Sequence, residues 1–273
     1  MNPLRRKILK TGLLLSPALA VADAFWLEEH FFETSELYLG KASPELGHEL
    51  KILQLSDLHL REINDVLQRV ATLAHESNPD LILLTGDAID DAKNLSLLQR
   101  FLNMLPAHAH KIAIPGNWEY WGRTDMQELH RVYASRNTRL LINESVQLNI
   151  RGRRINLTGT DDLLGGNADI SKALSTFIPG DFHIVLNHCP AYAEEIAAAA
   201  TGPFAYDLLL SGHTHGGQVR FGPWAPFKPP GSGRFLSGWY EDLKMYVSRG
   251  LGTSVLPVRF MARAEISLFY LKK

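Results

Sequence analysis

The chain has 273 residues, 45% of them apolar, and 28 lysines and arginines stand against 29 aspartates and glutamates. That length suits one large α/β domain and is short for two. The balanced charge, without a long run of one sign or a basic stripe interleaved with aromatics, gives no footing for a nucleic-acid partner. Cys189 is the only cysteine, so no intrachain disulfide can form and the compartment cannot be read from redox chemistry. Its thiol is expected to be a small buried filler.

Residues 1–25 read as an address rather than a folded element. Arg5, Arg6 and Lys7 give a charged start, Gly12 to Ala22 form an eleven-residue apolar stretch, and Ala18, Ala20, Ala22 and Ala24 offer cleavage sites. Eleven residues are too few for a stable transmembrane helix. The string Leu4-Arg5-Arg6-Lys7-Ile8-Leu9-Lys10 resembles a twin-arginine export signal, which implies the periplasm or the outer face of the inner membrane. The alternative is a basic amphipathic anchor on the cytoplasmic face of that membrane. Both readings expect association with a membrane surface. Residues 26–49 read as a connecting segment and 50–271 as the catalytic domain.

From residue 50 strand and helix signals alternate. Lys51–Leu55, Leu81–Leu84, Lys111–Ile114, His183–Leu186 and Asp207–Leu210 are short, nearly continuous apolar runs, as expected of strands buried on both faces. Ile63, Val66, Leu67, Val70, Leu73 and Ala74 recur at helical spacing within Glu62–Ser77. Further crossovers are expected at Asn94–Leu105 and Asp125–Ser135. This βαβαβ order implies parallel strands with right-handed crossovers. Val146–Thr158 reads as two strands around the Arg151-Gly152-Arg153 turn, and Lys244–Arg249 and Glu265–Leu271 as strands too. These predict a second sheet packed on the first. Phe221–Gly238, rich in glycine and proline, predicts a long loop.

Metal-ligating side chains follow five of the apolar runs: Asp57 and His59, then Asp87, Asn117, His188, and the pair His213 and His215. Parallel sheets carry their sites beyond the carboxyl ends of their strands, so these residues can meet. Asp57-Leu58-His59 places a carboxylate and an imidazole on one side of an extended strand end. Gly86-Asp87-Ala88-Ile89-Asp90 adds carboxylates, of which Asp87 reads as a ligand or a helix cap and Asp90 as the cap of the next helix. Asn117 follows Gly116 and, read alone, is a turn residue. His188, read alone, is a satisfied core histidine. Gly212-His213-Thr214-His215-Gly216-Gly217 has few structural roles other than ligation.

In order, D-x-H, G-D-x-x-D, G-N, N-H and G-H-T-H resemble the signature of the calcineurin-like metallophosphoesterases over roughly residues 50–271. The segment Val247-Ser248-Arg249-Gly250-Leu251-Gly252 and the Gly216-Gly217-Gln218 extension resemble a bacterial phosphodiesterase branch often exported by the twin-arginine route. The resemblance implies an α/β fold, a four-layer α/β/β/α sandwich of two mixed sheets flanked by helices. It also implies two divalent metal ions, one held by Asp57, His59 and His215 and the other by Asn117, His188 and His213, with Asp87 bridging. Carboxylate, amide and imidazole donors without thiolate suit Mn, Zn or Fe. A hydroxide bridging the ions would then attack a phosphodiester or pyrophosphate.

The pattern departs from the family at Trp118, where most members carry a histidine that protonates the leaving oxygen. Indole has an N–H but no proton that titrates near neutrality. Losing a general acid costs roughly 10²–10⁴ in rate unless the leaving group departs unassisted, which favours pyrophosphate or nucleotide linkages over alkyl monoesters. Trp118 is also placed to stack on a base or sugar, or to pack. Glu119 is expected to brace a ligand imidazole. Arg61, Arg220 and above all Arg249 are candidate phosphate clamps. Trp224, Phe227, Phe235 and Trp239 either pack the long loop or seat an acyl chain. The expected partner is a phosphorylated small molecule or a lipid-linked substrate, met by a monomer. Kinship to related branches offers UDP-2,3-diacylglucosamine pyrophosphate hydrolysis in lipid A assembly as an alternative. Trp118 offers another, a weakly catalytic protein that binds phosphorylated ligands.

Overall fold

The structure, a computed structural model, describes residues 31–40, 49–222, 224–255 and 257–272. The address read at residues 1–25 lies outside them. No helix among the described residues is long and apolar enough to cross a membrane.

Among the described residues, twelve strands form two six-stranded sheets. The first sheet contains β1 (Phe32–Leu39), β12 (Ala264–Leu271), β2 (Leu50–Leu55), β3 (Leu81–Thr85), β4 (His110–Ile114) and β5 (Thr138–Leu140), in that spatial order. The second runs β10 (Gly238–Tyr240), β11 (Met245–Val247), β9 (Leu208–Ser211), β8 (Phe182–Leu186), β7 (Arg153–Gly159) and β6 (Glu144–Ile150). β2 to β5 are mutually parallel, as are β7, β8, β9 and β11, while β12 and β6 enter antiparallel to β2 and β7. The crossovers in the first sheet are α1 (Asp65–Ser77), α2 (Leu95–Met104), the short α3 (Asn117–Trp121) and α4 (Met126–Ala134). α5 (Ile170–Leu174) and α6 (Ala193–Ala199) serve the second.

Strand periodicity sorts the side chains into layers. Leu53, Leu55, Ile82 and Leu84 pack outward against Leu67, Val70, Leu98 and Phe101 of α1 and α2. Their neighbours Ile52, Leu81 and Leu83 turn inward against Leu157, Ile184, Leu186, Leu208 and Leu210 of the other sheet. Val185 and Leu209, one residue out of step, face Ile170, Ala173 and Ile196 of α5 and α6. Because a strand alternates faces at every residue, strands covered on both sides read as unbroken apolar runs. The result is the expected α/β/β/α sandwich.

The turn at Arg151-Gly152 has φ of 52° and 78°, the positive values that a two-residue hairpin loop needs. One feature differs from the sequence reading. Within residues 26–49, read as a connection, Phe32–Leu39 forms an edge strand parallel to β12, so the first sheet begins before residue 50.

Candidate metal centre

All seven candidate ligands lie just past strand ends on the same side of the sandwich. The loop after β2 carries Asp57 and His59, that after β3 carries Asp87, and Asn117 opens α3 after β4. The second sheet supplies His188 after β8, and His213 and His215 after β9. Asp57, His59, Asp87, His213 and His215 have φ of 51°, 44°, 52°, 72° and 50°. The left-handed region costs a non-glycine residue on the order of 1 kcal/mol or more, so surrounding structure must impose it. Pairing between the loops does so: Asp57 N donates to Gly86 O at 3.1 Å, His59 N to Asp87 O at 3.0 Å and Leu60 N to Ala88 O at 3.0 Å. Two glycines let the loops close. A Cβ at Gly86, itself at φ 89°, would stand 2.4 Å from His188 Nδ1, and one at Gly116 would stand 2.3 Å from Asp87 Oδ1.

The donors gather into two buried groups, Asp57–His59–His215 and Asp87–His188–His213, each with its ligand atoms within 4.8 Å of one another. Asp87 Oδ2 joins them, 3.1 Å from His188 Nε2 and 3.8 Å from His59 Nε2. Asn117 Oδ1 is 2.9 Å from His213 Nδ1, and His59 Nε2 faces His215 Nε2 at 3.1 Å. Despite its nearness to Asp87, His188 Nε2 is fully buried without an aligned hydrogen bond. Inward-facing imidazole nitrogens around shared carboxylates are what a cation requires, and the donor set fits divalent ions of the Mn, Fe or Zn type.

What holds three of the imidazoles in that orientation is the bond made by the other ring nitrogen. His188 Nδ1 meets the Thr85 carbonyl at 2.8 Å, His213 Nε2 meets the Pro230 carbonyl at 2.6 Å, and His59 Nδ1 pairs with Asp90. Each contact leaves the inward nitrogen free as an acceptor. His215 is the exception, since its Nδ1 lies 3.3 Å from Arg259 Nη2, a permanent cation that can only donate.

The charges within the site act on one another at close range. Burial opposes ionisation of Asp87, but His188, and then His59 and the Trp118 amide, hold it well below the usual carboxylate range. Burial raises Asp57, with Asp87 adding to the effect. His188 and His59 are pushed up in spite of burial, chiefly by Asp87 for the first and by Asp90 and Asp87 for the second. Burial, then His59 and Arg259, keep His215 well below its ordinary value. It is thereby held in the uncharged state that a ligand needs.

The residues flanking the ligands divide into those that brace the site and those that stand elsewhere. Glu119 does not touch an imidazole. Its carboxylate accepts from the backbone amides of Ala88 at 2.6 Å, Gly116 at 2.8 Å, Asp87 at 3.2 Å and Ile89 at 3.3 Å, lashing the loop after β3 to the start of α3. Burial, then Asp87, raise it to about 7. Asp90 caps no helix; Asp91 takes that position, accepting from Lys93 N at 3.0 Å. Asp90 instead turns to His59 and receives Arg61 at 3.0 and 3.1 Å.

Arg249 is spent on Glu265, and its Nη2 reaches Glu33 at 2.9 Å; it ties the edge strand rather than facing the ligands. Arg220 donates to Ser237 Oγ at 3.2 Å. Phe235 is buried against Tyr240 and is unavailable to an acyl chain. Cys189 is buried, with its thiol 3.2 Å from Asp162 Oδ2.

Arg259 escaped the sequence reading. It is 1% exposed and donates to the carbonyls of Gly250 at 3.1 Å, Ala262 at 2.8 Å and Arg249 at 2.9 Å, as well as to that of Gly252. It thereby shapes the loop that passes beside Asp57 and His59. A cleft of about 510 Å³ opens there, lined by Leu58, His59, Leu60, Arg61, Thr253 and Arg259 among others, within the size range of small-ligand sites.

Two sheets delivering carboxylate, amide and imidazole donors to one buried point define a metal-dependent hydrolase class. Residues 50–217 match the calcineurin-like phosphoesterase family, and the chain belongs to that metal-dependent family of hydrolases. It is 34% identical to YkuE, an uncharacterized metallophosphoesterase of Bacillus subtilis, across 98% of this chain and 97% of that one. It is 31% identical to the phosphodiesterase YaeI of Escherichia coli across 81% and 82%. Among solved structures, a 5'-nucleotidase precursor from Thermus thermophilus aligns with a TM-score of 0.42 at 13% identity, over 67% of this chain and 45% of that one.

Proposed function

We propose that this phosphoesterase works with two divalent ions and hydrolyses a phosphodiester or pyrophosphate bond whose leaving group departs without a protein acid. The observation that carries the reading is Asp87 Oδ2, which lies within reach of an imidazole from each buried group, as a bridging ligand must. In this scheme Asp57, His59 and His215 would hold one ion, Asn117, His188 and His213 the other, and Asp87 would serve both. Such a pair supplies hydroxide near neutrality and positive charge for the phosphoryl oxygens.

Trp118 supports the choice of substrate. Its indole Nε1 donates to Ser254 Oγ at 3.2 Å, and its ring stands edge-on to His59 with centroids 6.0 Å apart. The side chain next to Asn117 is therefore a wall that steers the substrate and brings no titrating proton. The similarity to the phosphodiesterase YaeI supports the diester form, and the cleft beside His59 offers room for the group beyond phosphorus.

The test is a series of diesters, pyrophosphates and alkyl monoesters assayed on enzyme loaded with Mn, with log kcat plotted against leaving-group pKa. A steep fall is expected, and Trp118→His should flatten it by restoring an acid. Alkyl phosphates cleaved as fast as pyrophosphates would overturn the leaving-group argument. Full occupancy by two ions without turnover of any ester would instead favour the binding protein that Trp118 also suggests.

A further inference from the structure

Two loops beside the metal centre carry large apolar side chains that the fold leaves uncovered. Phe221, Trp224 and Phe227 lie on one, Val255 and Met261 on the other, and each is more than half exposed. Single exposed apolar residues need no explanation, but a contiguous group marks an interaction surface. These loops are contiguous. Val219 and Phe260 form a parallel bridge. Arg220 N donates to Phe260 O, and Phe260 N to Gln218 O, both at 2.9 Å. The Phe221 ring lies 5.9 Å from Trp224 and 5.6 Å from Phe260.

The same surface borders the candidate site. Gln218 Oε1 accepts from Ser254 N at 3.3 Å, Ser254 Oγ receives Trp118, and Pro230 at the far end of the first loop receives His213.

A second observation concerns where the chain enters the domain. Phe32 pairs with Ala264 in the parallel β1–β12 ladder, and Glu33 binds Arg263 at 3.4 Å. The exposed Phe31 therefore enters the domain beside the segment that carries Met261. Ahead of it run thirty residues holding Arg5-Arg6-Lys7 and the apolar stretch Gly12 to Ala22, a membrane-seeking composition. A segment that reaches a bilayer thus delivers this face of the domain to it. The exposed Lys228 and the partly buried Arg220 lie on the first loop, and Arg263, paired with Glu33, follows the second.

We propose that this surface seats the enzyme on a lipid bilayer, with Phe221, Trp224, Phe227, Val255 and Met261 placing their side chains at the interface. Trp and Phe suit that boundary because they combine apolar bulk with tolerance of the headgroup region. The neighbouring cations pair with anionic lipid. A second copy of the chain fits less well, because a two-fold interface would set each patch and its cations against the same patch. The seating opens the metal cleft at the level of the headgroups. It stands independently of the reaction proposed above.

The experiment places nitroxide labels on the full chain at Trp224→Cys, Val255→Cys and, as a control, Ile178→Cys. Ile178 is exposed and precedes β8, at the end of the sheet opposite the ligands. The buried native Cys189 does not compete for the reagent. With vesicles of phosphatidylethanolamine and phosphatidylglycerol, the ratio of oxygen to nickel-chelate collision should rise at 224 and 255 and stay unchanged at 178. Vesicle-bound protein with 224 and 255 still open to the nickel chelate would overturn the proposal, since the N-terminal segment alone would then hold it. So would an absence of binding, or labels immobilised without lipid in a species of doubled mass, which would assign the surface to a second copy. The ratios are read with and without Mn, so failure here is distinguishable from failure to hydrolyse esters.

Discussion

The two halves of the candidate metal centre use similar donors but are braced in different ways. Around Asp57, His59 and His215 the outer ring nitrogens meet charged side chains: His59 is turned by Asp90, which Arg61 holds from the surface, and His215 faces Arg259. Around Asp87, Asn117, His188 and His213 they meet main-chain carbonyls, those of Thr85 and Pro230. Thr85 ends β3 and Pro230 stands in the long loop, and neither carbonyl can be removed by substituting a side chain. A carboxylate on a half-buried loop can. One half is therefore set by topology and the other is tuned by individual side chains, which predicts unequal responses to mutation.

The largest effect is expected where the halves meet. Asp87→Asn removes the shared charge, and the loss of one ion's electrostatic stabilisation, several kcal/mol, lowers kcat by at least about 10³-fold. Metal analysis of the purified variant should find about one ion against the two proposed for the wild type. A variant that retains both ions and full turnover would remove Asp87 from the bridging role.

Glu119→Gln strikes the topological half through a side-chain brace that ties two of its loops. Each carboxylate oxygen accepts from two amides, so wherever the new NH₂ points it meets two buried donors. A buried donor left without a partner costs about 1–3 kcal/mol, and the urea midpoint should fall accordingly. The loops carrying Asp87 and Asn117 should loosen together, weakening the ion bound by His188 and His213 more than the other. Unchanged stability would show that the lashing is idle.

The ligands of both halves were legible in the sequence, for a physical reason. β2, β3, β4, β8 and β9 are covered on both faces, so their residues form nearly continuous apolar runs, and the ligands follow closely. Motif order then joined residues more than 150 positions apart, such as Asp57 and His215. What escaped the reading depends on partners remote in sequence or on a shift of one position. Phe32–Leu39 is an edge strand whose half-exposed, mixed composition means little until β12 is beside it. Arg259 lies among glycines and prolines with no local periodicity, and a buried arginine runs against the usual preference of that residue for solvent. Asp90 was read as a cap because a helix follows, but Asp91 serves that end and frees Asp90 for His59. Nor does composition announce five ligands with positive φ, a conformation imposed by loops pairing across the sheet.

The tuned half should respond in graded fashion. Asp90→Asn leaves a neutral oxygen for the imidazole of His59 but removes the charge that orients it, which typically costs roughly 10–100-fold in metal affinity or activity. Titration of the metal-stripped variant should show one ion weakened and the other held as before. Arg61→Ala, one residue further out and half exposed, removes only a solvent-screened pair worth up to about 1 kcal/mol. Its affinity loss should be about fivefold or less. Equal weakening of both ions by Asp90→Asn would contradict the division into separately braced halves.

His183 extends the comparison to an imidazole buried away from the ligand carboxylates. Its Nε2 is 2.8 Å from Thr158 Oγ1 and its Nδ1 2.9 Å from the Phe204 carbonyl, beside the Phe177 ring. Burial lowers its pKa from 6.5, and the Phe204 and Ala205 carbonyls and Asp207 only partly oppose this. Above pH 6.5 both folded and unfolded chains carry a neutral ring, and the contribution to stability is fully present. As the pH falls below 6.5, the unfolded chain takes up a proton that the folded chain refuses, and stability is lost until the pH has passed through the lower folded value. In enzyme saturated with metal, where the ligand histidines cannot take up protons, the urea midpoint should drop between about pH 7 and pH 5. His183→Gln should make that slope shallower, the smallest of these effects, while leaving metal affinity unchanged. A slope identical in the variant would mean that the acid sensitivity arises at the metal centre.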